Sequence, residues 1–155
     1  MHPVAHSLPE SLRTNLTERL NLRLADLIDL QAQYRIAHWN VRGPHFIALH
    51  ELFGSLAGEL DGAIDDVAER IAQLGGEAEG SLQVVVRRTG ITEASEGQIA
   101  SIDRLTVAAV GVASRVRTDI DDVAYLGDAL TADLLTGIGR LLDKQVWFLD
   151  SHQRT

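Results

Sequence analysis

Apolar residues recur at helical spacing in four long stretches of the chain. The first runs through Leu12, Leu16, Leu20, Leu24, Leu27 and Ile28, one face of an amphipathic helix. The second carries Leu49, Leu52, Phe53, Leu56, Leu60, Ile64, Val67, Ile71 and Leu74, and stops at Gly75-Gly76. The third holds Ile99, Ile102, Leu105, Val112, Val116, Ile120 and Val123, and Gly127 ends it. The fourth extends from about Asp128 to Gln153. The pattern therefore predicts helices over about residues 9–38, 44–74, 95–126 and 128–153. Ser7-Leu8-Pro9-Glu10 has the form of a capping box in front of the first. Gly43-Pro44 separates the first from the second. Residues 75–95 are the least regular: GGEAEG reads as a loop, and SLQVVVRRTG as a short strand or a short connecting helix, with no partner strand in view. A short loop, a long crossover and a second short loop make an all-α four-helix bundle. Residues 1–8 read as a short disordered tail and residues 9–155 as the bundle domain.

The second helix carries the chemistry. On a wheel at about 100° per residue its apolar positions lie within roughly 60° of Leu49. His50, Asp61, Asp65 and Glu69 occupy an adjoining face, which Asp66 does not share. Gly54, Gly58 and Gly62 fall on that same face. A glycine costs about 1 kcal/mol in a helix interior, so three at four-residue spacing call for a close approach by another helix. His50 and Asp65 are about 22 Å apart along a helix rising 1.5 Å per residue, whereas ligands sit about 2 Å from a metal. They cannot hold one ion within one chain. Asp65 and Glu69, one turn apart, can. A second copy of the helix, antiparallel across the glycine face, would bring His50 of one chain to Asp65 and Glu69 of the other.

Composition narrows the function classes. At 155 residues the chain suits one domain with a sizeable core. Cysteine is absent, which excludes disulfides, thiol catalysis and cysteine-ligated zinc. No apolar run reaches membrane-spanning length, and MHPVAHSLPES lacks the charged and apolar regions of a signal peptide. The expectation is a soluble cytoplasmic protein. A formal net charge of −8 fits attraction of cations better than of nucleic acid.

The motifs HWNVRGPHF, LHELF and DDVAER, with the C-terminal stretch GDALTADLLTGIGRLLDKQVWFLDSH, resemble the Dps family of mini-ferritins over nearly the whole chain. The resemblance implies a ferritin-like bundle whose crossover contains a short extra helix lying across the dimer interface. It implies a homo-oligomer, a dodecameric shell with metal sites at its two-fold interfaces. Iron, with peroxide or oxygen, would be the substrate of a ferroxidase that oxidises Fe(II) and stores the ferric product. His38 and His50 would ligate from one subunit, and Asp65 and Glu69 from its neighbour. Alone, His38 reads as a core histidine, because it lies in line with Leu20 and Leu24. Trp39 reads either as a packing aromatic or, with the family, as a trap for oxidising equivalents beside the site. Zinc is an alternative occupant for the same donors.

One position departs from the family. Where its members commonly carry an aspartate four residues after the second histidine, this chain has Gly54, which leaves the second position of a di-iron site short of a ligand. His45, five residues before His50, faces another side of a regular helix and reads as a surface histidine. Asp128 and Asp133, with Asp121 and Asp122, have two readings: complements to the start of the last helix, or, by resemblance, acids lining the pores through which iron enters. A second function, a DNA-compacting stress protein, is disfavoured. Residues 1–10 hold no Lys or Arg, the only lysine is Lys144, and twelve copies at −8 each sum to about −100 facing a polyanion.

Overall fold

A computed structural model describes residues 1–95 and 97–152. Five helices appear in the order α1 (Glu10–Asn40), α2 (Phe46–Gln73), α3 (Leu82–Arg88), α4 (Ile102–Leu126) and α5 (Ala129–Ser151). Among the described residues there is no strand, and SLQVVVRRTG resolves as the short helix α3. The predicted end of the last helix at Gln153 lies outside the described residues.

Side-chain pairs fix how the helices run. His38 meets His50, and Asn21 meets the backbone of Glu77, so α1 and α2 are antiparallel. Arg104 binds Gln33, Arg115 binds Asp26 and Arg19 binds Asp122, so α4 is also antiparallel to α1. Gln145 reaches the carbonyl of Leu56 and Arg70 reaches Asp128, which sets α5 against α2. Helices α2 and α4 are then parallel, and their connection has to travel the length of the bundle. Segment 74–101, with α3 inside it, does so.

The four apolar faces meet in one core. Leu16, Leu20, Leu24, Leu27, Leu56, Leu60, Val67, Leu105, Val112, Val116 and Leu142 are buried, with Phe53 and Tyr34 the largest side chains among them. Burying a leucine fully stabilises by about 1.5–3 kcal/mol. Short turns close the two hairpins. Gly43 (φ +104°) lies between α1 and α2, and Gly127 (φ +90°) ends α4, where a left-handed residue lets the last carbonyls be satisfied.

Two expected boundaries move. The first helix is capped by Pro9 with no side-chain bond, so the Ser7–Glu10 capping box does not form. In its place His6 Nδ1 accepts from the amide of Leu8, and the amide of His2 donates to the carbonyl of Gly75. The third long helix begins at Ile102 rather than near residue 95. Ser101 is its N-cap and accepts from the amide of Arg104, while amide bonds from Gln98 to Ser95 and from Ser101 to Gln98 turn the chain before it.

The crossover is held by buried charge. Asp26, 1% exposed, accepts from Arg115 at 2.9 Å and from the amide of Gly90 at 2.8 Å. Asp29 accepts from the hydroxyl of Thr89 at 2.7 Å. These bonds tie the segment after α3 onto α1.

Candidate metal centre

The turn at residues 41–45 folds α2 back on α1 and brings His38 and His50 face to face. Their rings stack with centroids 3.7 Å apart and planes 21° from parallel. The bonding is reciprocal: His38 Nδ1 lies 2.6 Å from the carbonyl oxygen of His50, and His50 Nδ1 lies 2.8 Å from the carbonyl oxygen of His38. A carbonyl oxygen only accepts, so each Nδ1 carries the proton and donates. In a neutral imidazole that leaves the lone pair on Nε2, the atom a metal would take, with the ring orientation fixed by the bond at its other nitrogen. Phe46, one turn before His50, stacks against its ring with centroids 5.2 Å apart. Sequence spacing offered a hint of that contact, since Phe46 and His50 are at i and i+4.

Both histidines are half-buried, so His38 is not the core residue its register with Leu20 and Leu24 allowed. Trp39 beside it is 67% exposed. His45 occupies the N-cap position of α2 and is exposed, as expected of a surface histidine.

Asp65 and Glu69 are exposed and one turn apart on α2. The helix is continuous from Phe46 to Gln73, so the separation of about 22 Å from His50 stands. Among the described residues no three His, Asp or Glu side chains gather closely enough to hold a metal. One chain therefore presents a pair of imidazoles at one end of α2 and a pair of carboxylates near the other. The glycines between them divide in role. A Cβ at Gly58 or Gly62 would meet nothing within 4 Å among the described residues, whereas one at Gly54 would meet the ring of His38. Gly58 and Gly62 lie open in this chain, whereas Gly54 serves a contact within it. Asp61, on the same face, accepts from Gln31.

Overall similarity decides the family. The ferritin family model, described as a ferritin-like domain, matches residues 17–155. A DNA protection during starvation protein of Agrobacterium fabrum is 41% identical over 97% of this chain and 95% of its own length. The chain belongs to the Dps family. Among solved Dps structures, DpsC from Streptomyces coelicolor superposes with a TM-score of 0.92 at 32% identity, covering 100% of this chain and 91% of that one. The Dps protein of Vibrio cholerae, described as a member of a broad superfamily of ferritin-like diiron-carboxylate proteins, gives 0.90 at 25% identity over 99% of this chain and 98% of its own. The ferritin-like four-helix bundle anticipated from HWNVRGPHF and its companions is the fold of this Dps protein.

The two acids expected near the start of α5 part company. Asp128 is buried and accepts from Arg70 Nη2 at 2.9 Å and from the hydroxyl of Thr131. Burial alone would raise its carboxyl, but the bonds from Thr131 and Arg70 outweigh that and hold it below the usual carboxylate range. Asp133 is exposed. Among the described residues no helix is long and apolar enough to cross a membrane.

Proposed function

We propose that this Dps protein is a mini-ferritin: a cytoplasmic dodecameric shell that binds Fe(II) at its two-fold interfaces, oxidises it, preferentially with hydrogen peroxide, and stores the ferric product inside, protecting against oxidative damage. The observation that carries this reading is the reciprocal His38–His50 bond pair, which leaves one imidazole Nε2 lone pair free on each ring. Asp65 and Glu69 of a second copy complete the set across the glycine face. Two imidazoles with two carboxylates suit iron(II) and leave coordination positions for an oxidant. Two ferrous ions give one electron each. Peroxide takes both electrons and two protons to yield two waters, so no hydroxyl radical is released. With no carboxylate at Gly54 the second ferrous ion is recruited weakly, and the rate rises steeply with iron concentration. Trp39, exposed next to His38, intercepts oxidising equivalents that escape. Asp133 belongs to the acid-lined uptake route, while Asp128 is committed to Arg70.

Anaerobic titration with Fe(II), followed by peroxide, tests the reading. Peroxide consumed at half the iron oxidised, in an assembly of dodecamer mass, supports it. Zinc would fit the same donors as a structural ion, with no peroxide consumed. DNA compaction, suggested by the relatives' names, is the weaker reading. Arg19, Arg23, Arg70, Arg88, Arg115, Arg117 and Lys144 already pair with acids. A stable band shift at about 150 mM salt without divalent ions would reverse that ranking.

A further inference from the structure

Phe46 opens α2, and the turn before it fixes where it stands. Its amide donates to the carbonyl of Gly43 at 3.1 Å, and Gly43 takes the left-handed φ of +104° that the turn needs. His50 follows one turn later on the same side of the helix. The two rings stack with centroids 5.2 Å apart and planes 30° from parallel, inside the range of favourable aromatic pairs, about 4.5–7 Å. Phe46 lies outside the hydrophobic core and is 40% exposed, so core packing does not account for a large apolar side chain here. Among the described residues the ring it meets is that of His50.

The His50 imidazole has two things to fix. The 2.8 Å bond from Nδ1 to the His38 carbonyl selects which edge of the ring faces that carbonyl. One bond at an edge leaves the plane free to swing, because χ2 of histidine is a broad torsion. Flat neighbours remove that freedom. The His38 ring is one, at 3.7 Å, but it carries a ligand atom of its own and has to follow the ion it takes. Phe46 binds nothing and is the fixed neighbour. We propose that Phe46 is a positioning residue of the metal centre: its ring holds the plane of the His50 imidazole, so that Nδ1 stays on the His38 carbonyl and Nε2 stays presented to a metal ion. The identity of the ion rests on the iron reading above, whereas the hold on the ring is a property of the chain without metal. The role is the same whether His38 and His50 take one ion or two.

The test compares wild type with Phe46→Leu, which keeps apolar bulk but has no flat face, and Phe46→Tyr, which keeps the face. Metal-free crystal structures read the ring directly. In Phe46→Leu the His50 imidazole should turn off the His38 carbonyl or occupy more than one orientation, and in Phe46→Tyr it should stand as in wild type. Co(II), a redox-silent probe, reads the consequence in the assembled protein. Phe46→Leu should bind it about tenfold or more weakly, the usual scale for disturbing a ligand's supporting contact, and the ligand-field spectrum should change. Phe46→Tyr should restore both. A purely structural role would lower the melting temperature and leave the spectrum of bound Co(II) where it was. An unmoved His50 ring in Phe46→Leu refutes the proposal, whatever becomes of the assembly or the metal. Unaltered Co(II) affinity and spectrum in intact Phe46→Leu assemblies refute it as well. A displaced ring in Phe46→Leu, with no Co(II) bound by wild type, would leave the hold on the ring standing and refute the metal assignment.

Discussion

Arg70, near the end of α2, and Asp128, just before α5, form an ion pair at 2.9 Å with side chains only 12% and 5% exposed. Thr131 completes a triangle, accepting from Arg70 Nε and donating to Asp128. The pair locks the far end of α2 to the hairpin of α4 and α5. Removing one partner of a buried pair leaves the other charge stranded, at a cost of about 3–5 kcal/mol.

The pH dependence follows from the depressed carboxyl of Asp128. Its contribution is present above the unfolded carboxylate value of about 3.9 and is lost as pH falls through the lower folded value. Asp128→Asn should therefore melt lower at neutral pH, and its stability should fall less steeply than wild type's below about pH 4. Melting curves from pH 2 to 7 on both proteins check this. Parallel acid limbs would mean that the Asp128 carboxyl titrates alike in the folded and unfolded chains.

Tyr34 points the other way. Its ring is fully buried in the core, and its hydroxyl has no hydrogen-bond partner among the described residues. Burial, aided by the charge of Glu59, pushes that hydroxyl far above its ordinary range. An unsatisfied buried hydroxyl costs about 1–3 kcal/mol, so Tyr34→Phe should match or exceed wild type in stability at pH 7. Wild type should lose stability above about pH 10, where the unfolded tyrosine ionises and the folded one does not. The variant should lack that share of the slope. A clearly destabilised Tyr34→Phe would show that the hydroxyl is satisfied after all.

Gly58 offers a test of assembly, because a Cβ there meets nothing within 4 Å among the described residues. Gly58→Leu should keep full helicity and gain up to about 1 kcal/mol of helix propensity. It should nonetheless break or distort the two-fold contact, lowering the assembly mass by light scattering. An intact shell would mean that the glycine face is not an interface.

Much of the fold was legible because helical periodicity is strong where one face is buried. The face from Phe53 to Ile71 lies in the core as the wheel placed it, and Gly127 stops α4 where expected. The start of α4 was misplaced because Ile99 and Ile102 sit at i and i+3 and mimic a continuing stripe, while Ile99 is 39% exposed in the turn before Ser101. Of the candidate site, spacing alone separated His50 from Asp65 and paired Asp65 with Glu69. Three features were out of reach. The carbonyl bonds of His38 and His50 depend on rotamers. The Arg70–Asp128 pair joins residues 58 apart. The role of Gly54 depends on which neighbour fills the space it leaves.

The central claim is that the histidines of one subunit and the carboxylates of another share one iron. Mixing His50→Ala with Glu69→Ala subunits tests it most directly. Each variant alone should assemble and oxidise Fe(II) slowly. Refolded together, a mixed dimer carries one intact site, His38 and His50 from the Glu69→Ala chain with Asp65 and Glu69 from the His50→Ala chain. The account predicts that oxidation recovers in proportion to mixed dimers counted by mass spectrometry. Confirmed mixed assemblies that stay as slow as the parent variants would contradict it.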